Sequence, residues 1–177
     1  MIPPPTDAET IHRQLEALHD ESFAWALVCA AYQPSEAEDI LQMTYLKILD
    51  GSARYEGRSA FKTWLFGVIR LTALAHRRRT LWGWMRRASV EEAAAQPAHD
   101  PAPDAATARG ETIRQVQEAC LRLPGRQREV LMLVFHHSLG LDEAATVMGV
   151  SPGSARKHYQ RAKESLRASL GRTFAQP

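Results

Sequence analysis

Ser154, Arg156, Lys157, Gln160, Arg161 and Lys163 fall within ten residues of one another, and helical spacing would gather them on one outward face. That set of groups suits nucleic-acid recognition. Lys and Arg hold phosphates by charge, while hydroxyl, amide and guanidinium groups reach base edges. A second basic set comprises Arg54, Arg58, Ser59, Lys62, Arg70 and the triplet Arg77, Arg78 and Arg79, interleaved with Phe61 and Trp64. Aromatic rings stack on unpaired bases while cations meet their phosphates, so this second set points to single-stranded nucleic acid. Trp64 is read chiefly as core, and the loop before it as the better base contact. A third set is acidic: Glu36, Glu38 and Asp39, with Gln42 one turn on. The helix macrodipole favours carboxylates near a helix start, so stabilisation alone accounts for these three.

The chain carries no nucleophile with a base at reach, no glycine-rich phosphate loop and no metal-ligand spacing. His136 and His137 are adjacent and so face different sides of a helix, with no third ligand spaced nearby. Cys29 and Cys120 lack paired spacing and read as buried reduced thiols. The chain is therefore expected to be no enzyme and to need no cofactor or metal. Its start, MIPPPTDAET, has neither a charged leader nor an apolar run, and no segment reaches the ~20 apolar residues of a membrane span. A cytoplasmic protein without direct membrane insertion is expected.

The elements that must position these groups are all helical. Leu141, Ala144, Ala145 and Met148 recur at helical spacing, and Gly149 follows where a helix leaves through a left-handed residue. Ser151 then serves as N-cap, with Pro152 at the first position of a new helix. Ala155, Tyr159, Ala162 and Leu166 face inward along it, opposite the cations. A short helix, a glycine turn and a basic second helix make a helix-turn-helix, whose second helix lies in the major groove.

Upstream, Thr10 to Tyr32 reads as two helices broken near Asp20. Pro34 ends the second, and Ser35 with Glu38 makes a capping box that opens a helix through Leu49, closed by Gly51. Its buried stripe is Ile40, Leu41, Thr44, Tyr45 and Ile48. After the loop GSARYEGRS, a long helix runs from about Ala60 to His76 or beyond on Phe61, Trp64, Leu65, Val68, Ile69 and Thr72. Trp82 and Trp84 flank a glycine and could anchor the domain's end or mark a partner surface. Ala88 to Gly110, with Pro97, Pro101 and Pro103, reads as a flexible linker reaching up to ~75 Å if extended and ~26 Å r.m.s. if random. From Glu111, Ile113, Val116, Cys120 and Leu121 share one face; Pro124-Gly125 turns the chain, and a helix from Gln127 to Phe135 follows.

Charge follows the same division. Net charge is +2, but Met1 to Asp50 holds nine acids against Arg13 and Lys47, whereas Arg54 to Arg87 holds nine basic residues and one acid, Glu56. Two basic surfaces around an acidic linker suggest two DNA contacts.

With both halves in view, the chain resembles the extracytoplasmic-function group of bacterial RNA polymerase sigma factors over roughly Phe23 to Leu170. The resemblance rests on EAEDILQMTYLKIL (Glu36 to Leu49), FKTWLFGVIR (Phe61 to Arg70) with the arginines behind it, LRLPGRQREVLML (Leu121 to Leu133) and LDEAATVMGVSPGSARKHYQRAKESLR. It implies an all-α protein of two small domains, region 2 over 1–87 and region 4 over 111–177, joined by the linker 88–110. It implies that Glu36, Glu38, Asp39 and Gln42 dock on the β′ subunit of core RNA polymerase, with the β subunit as a further partner. Arg54 to Ser59, with Lys62, Arg70 and Arg77 to Arg79, would meet a melted minus-ten element, and the helix from Ser154 a minus-thirty-five element. An anti-sigma factor is implied as an inhibitor.

Two features depart from the family pattern. Leu71 and Ala75 stand where an Asn and an Asp are usual, which puts minus-ten specificity in question, and the N-terminal helices lack the usual Gly-Asp turn. The expected function is a promoter-specificity subunit that binds polymerase, selects promoters and helps melt DNA. Two rivals remain: a helix-turn-helix regulator working without polymerase, which should form symmetric dimers, and a sigma mimic that titrates an inhibitor.

Overall fold

Apolar residues at helical spacing and punctuating Gly and Pro residues dictate where helices start and stop. A computed structural model describes residues 8–87 and 118–174, with side chains at 9–80 and 118–170. The linker 88–110, Ile113 and Val116, and the side chains of Trp82 and Trp84 lie outside the described residues. Contacts divide the chain into two units, Met1–His99 and Asp100–Pro177. The described residues are helices and turns, with no strand among them.

The first unit holds α1 (Ala8–Ala17), α2 (His19–Cys29), α3 (Pro34–Leu49) and α4 (Phe61–Arg87). The break between α1 and α2 falls at Leu18, near the expected place. Trp25, Ala26, Ile40, Leu65, Phe66 and Ile69 are all fully buried and make the core where α2, α3 and α4 meet. The Trp25 indole N–H donates to the Phe66 carbonyl at 3.0 Å, and the two rings stack with centroids 5.9 Å apart. A tryptophan can be buried whole only where its polar edge finds such an acceptor. The Lys47 ammonium donates to Thr72 Oγ1 at 3.1 Å, tying α3 to α4.

Two helix starts differ from expectation. Pro34 does not end α2's segment but opens α3 as its first residue, with Gln33 as N-cap and no side-chain capping bond. Proline is suited to that position because its missing N–H has no intrahelical partner there anyway, so the Ser35–Glu38 capping box is not formed. The helix expected from Gln127 likewise begins two residues earlier, at Gly125, because the Pro124 carbonyl accepts from both Gln127 and Arg128 N–H. Between α2 and α3, Ala31 and Tyr32 adopt φ of 52° and 64°, a left-handed conformation normally given to glycine.

The second unit holds α5, helical over the described residues 118–121, then α6 (Gly125–Phe135), α7 (Leu141–Met148) and α8 (Pro152–Phe174). Val130, Leu133, Ala144, Ala145, Met148, Ala155 and Ala162 are buried where α6, α7 and α8 pack, with Tyr159 and Leu166 half-buried beside them. The inward face expected of the last helix is the one observed. Both cysteines are free thiols but only partly buried, less so than the sequence suggested; burial still pushes the Cys120 thiol up.

Candidate nucleic-acid interface

The turn between α7 and α8 is built by its sequence. Gly149 takes φ 62°, ψ 42°, and Val150 and Gly149 N–H donate back to the Ala145 and Thr146 carbonyls at 3.0 and 3.2 Å, the paired bonds of a Schellman close. The Arg126 guanidinium adds a bond to the Met148 carbonyl at 3.1 Å. Ser151 Oγ accepts from Ser154 N–H at 3.2 Å, which is the N-cap expected for α8. At the start of α7, the Glu143 carboxylate accepts from Gly140 N–H at 2.9 Å.

A Cβ at Gly149 would meet no atom within 4 Å, so substitution there tests backbone strain alone. Gly149→Val is expected to cost about 1–2 kcal/mol, and Gly149→Asn clearly less, since Asn tolerates the left-handed region. Thermal unfolding checks this; equal losses for the two variants would remove the conformational explanation.

On α8, Arg156, Lys157, Gln160 and Arg161 are exposed, while Ser154 and Lys163 are partly buried. Four of the six expected readers are therefore open to solvent, with their local partners already visible. The Arg156 guanidinium donates to the Asp142 carboxylate of α7 at 3.0 Å, and Gln160 Nε2 donates to Glu164 Oε1 at 2.9 Å. Lys163 lies over the Tyr159 ring, 4.6 Å from its centroid, and that ring stacks on Phe135. Asp142 escaped the sequence reading because its charge balances a cation 14 residues away, a spacing that only the turn makes close.

In the first unit the basic set divides. Arg54, Arg58 and Arg77 to Arg79 are exposed, and Ser59 is partly buried. Arg58 pairs with Glu56 at 2.6 Å, and Arg54 Nε donates to the Gly51 carbonyl at 3.1 Å. Lys62 is ion-paired with Glu21 of α2 and lies 5.7 Å from the Phe66 ring centroid, so part of its charge is spent within the fold. Arg70 departs from expectation altogether. It is 4% exposed, because its place on α4 turns it toward the packed side between Ile69 and Thr72, and it offers no open surface to DNA.

The loop from Gly51 to Ala60 is held in a defined shape. Gly51 (φ 78°) and Gly57 (φ 71°) bend it, and the Asp50 carboxylate accepts from Ser52 N–H at 2.8 Å. Ser52's hydrogen bonds hold the Asp50 carboxyl below its usual range, so this clasp persists at neutral pH and is lost only as pH falls through that lowered value. Tyr55 donates to the Ser59 carbonyl at 2.6 Å and packs against Phe61 and Trp64, with all three centroids 5.2–5.3 Å apart. Phe61 is buried, whereas Tyr55 and Trp64 are partly exposed. Trp64 is thus neither wholly core nor wholly surface. Leu71 is 65% exposed on α4, so this position, where the resemblance leads one to expect an Asn, shows an apolar side chain to solvent.

On α3, Glu38, Asp39 and Gln42 are exposed and Glu36 is partly so. Beside Glu38 and Gln42 lies a cleft of about 380 Å³, completed by His19, Phe23, Leu41 and Tyr45. His19 Nδ1 and the Tyr45 hydroxyl stand 3.3 Å apart across its rim. Tyr45 belongs by its spacing to the buried stripe of α3, and spacing within one helix says nothing about a cleft shared with Phe23 of another. His137 is buried and His136 exposed; among the described residues no three His, Cys, Asp or Glu side chains gather as metal ligands, and no helix is long and apolar enough to cross a membrane.

Comparison with known proteins gives this geometry a family. Residues 21–83 match the model of sigma-70 region 2 and residues 113–166 that of sigma-70 region 4. The chain is 30% identical to the RNA polymerase sigma factor CarQ of Myxococcus xanthus over 138 residues, covering 76% of this chain and 75% of CarQ. It is 25% identical to the ECF RNA polymerase sigma factor SigX of Bacillus subtilis over 164 residues, covering 92% and 84%. Its fold is similar to that of the sigma factor RpoE, solved with the anti-sigma factor NepR from Bartonella quintana, with a TM-score of 0.70 at 22% identity over 93% of this chain and 98% of that one. The region 2 match takes in α3, the aromatic loop and most of α4, the region 4 match takes in the helix-turn-helix, and the chain belongs to the extracytoplasmic-function group of RNA polymerase sigma factors.

Proposed function

We propose that this sigma factor docks on core RNA polymerase through the exposed face of α3, holds melted minus-ten DNA at the Gly51 to Ala60 loop, and reads the minus-thirty-five element with α8. The observation that carries the reading is the exposed face of α8, where Arg156, Lys157, Gln160 and Arg161 follow directly on a turn fixed by Gly149 and Ser151. The arrangement of domains as 1–87, 88–110 and 111–177 belongs to the same proposal. Opening a duplex costs ~1.4 kcal/mol per step in lost stacking. A protein that does this needs a surface for extruded bases and a second anchor that fixes register. Tyr55 and Trp64, partly exposed and braced on Phe61, supply aromatic faces for the first task, with Arg54, Arg58 and Arg77 to Arg79 for phosphates. The β′ subunit is the partner proposed for Glu36, Glu38, Asp39 and Gln42, and an anti-sigma factor is proposed as inhibitor, in keeping with the complex in which RpoE was solved.

The test is run-off transcription with core polymerase, this chain and a library of promoter fragments. Transcripts that begin downstream of a shared two-part motif support the proposal. Core binding without transcripts would favour a chain that titrates an inhibitor, and neither would favour an ordinary helix-turn-helix regulator. Within the same assay, Arg156→Ala should weaken recognition of the upstream element by about 1–3 kcal/mol, concentrated at one base pair. An equal loss on every fragment would make Arg156 a phosphate contact.

A further inference from the structure

Arg156 and Asp142 sit on different helices of the helix-turn-helix and meet at 3.0 Å through one guanidinium nitrogen and one carboxylate oxygen. Both side chains are largely exposed, at 60% and 73%, and exposed ion pairs contribute little to stability. The pair's effect must be sought on what approaches from solvent. Asp142 lies in the first turn of α7. Its carboxylate is fixed against a side chain that otherwise samples many rotamers.

We propose that Asp142 is a positioning residue that sets the base specificity of Arg156, directing it to guanine and away from phosphate. The inference rests on α8 being the reader of the upstream promoter element. Arginine carries five N–H donors in a rigid planar fork, so one contact to Asp142 leaves a donor edge free for a base. Guanine offers N7 and O6 as paired acceptors in the major groove, matching such an edge. A phosphate brought to the same guanidinium would stand close to the Asp142 carboxylate and be repelled by it, whereas the neutral guanine edge carries no such penalty. The acid therefore lowers affinity for DNA in general and raises discrimination at one base pair.

Holoenzyme reconstituted from core polymerase and the full chain is measured for binding to promoter fragments that differ singly along the upstream element, at two salt concentrations. Wild type should prefer guanine at one position by about ten-fold. Asp142→Asn should tighten binding to every fragment, most at low salt, while the guanine preference falls below about three-fold. Asp142→Glu should restore most of that preference, and Arg156→Ala should abolish it with no further loss when combined with Asp142→Asn. Circular dichroism of each variant verifies that α7 and α8 persist. Tighter binding by Asp142→Asn with the preference intact would overturn the proposal, leaving Asp142 as a bulk charge. A wild-type holoenzyme with no base preference in the upstream element would instead remove the reading on which the proposal rests, and the proposal with it.

Discussion

Trp25→Ala is expected to destabilise the first unit by about 3–5 kcal/mol, the usual cost of emptying a buried tryptophan site. The indole is fully buried, stacked on Phe66, and its N–H serves the Phe66 carbonyl on α4, so truncation removes packing and a hydrogen bond together. Domains of this size have only about 5–15 kcal/mol of total stability, and a loss on this scale leaves α2, α3 and α4 opening often at physiological temperature. Trp25→Phe keeps much of the volume and forfeits the N–H, and should cost clearly less. Hydrogen exchange of the full chain measures both units at once. Protection in α2 to α4 should fall by about two to four orders of magnitude in Trp25→Ala, while α6 to α8 hold theirs, because Trp25 packs within the first unit. Unchanged protection in α2 to α4 would show that the indole is not the keystone of this core.

Much of that core was legible before any coordinates, because apolar spacing reports a helix's inward face directly. Ile40, Leu41, Thr44 and Ile48 on α3, and Ala155 and Ala162 on α8, are buried as their periodicity required. Gly149 and Ser151 were legible for a different reason: a left-handed closure and an N-cap are local demands that few residue types satisfy. What periodicity could not supply was the behaviour of residues between faces. Arg70 follows Ile69 at the edge of the apolar stripe and is carried inside with it, although its charge marked it for the surface. The Lys62–Glu21 and Arg156–Asp142 pairs join different helices, and no pattern within one helix can reveal a partner on another. The α3 start shows competition between local rules. A Ser-x-x-Glu box capped at Ser35 and a proline at the first helical position, capped at Gln33, set boundaries two residues apart, and the proline prevailed.

Reversing the acids proposed for docking should have the other large effect. Glu38→Lys with Asp39→Lys is expected to weaken binding to core polymerase by about 2–5 kcal/mol, the range seen when a charged interfacial partner is removed and a like charge faces its counterpart. Both acids are exposed on α3, and the cleft beside Glu38, lined by Phe23 and Leu41 among others, offers apolar surface next to the charge. The alternative, that these carboxylates merely stabilise the helix, makes a separate prediction. α3 begins at Pro34, which places Glu36 in the first turn, where the macrodipole acts, but Glu38 and Asp39 beyond it, where that effect has largely decayed. Lysine has a helix propensity as good as that of Glu and better than that of Asp, so the double variant should melt within about 0.5 kcal/mol of wild type. Glu36→Lys reverses the logic, costing the helix some stability through the dipole while acting less on docking. Equilibrium binding to core polymerase, read beside thermal unfolding for both variants, separates the two roles. If Glu38→Lys/Asp39→Lys keeps its affinity for core polymerase and loses only stability, the acids serve the helix, and the docking surface must be sought elsewhere on the molecule.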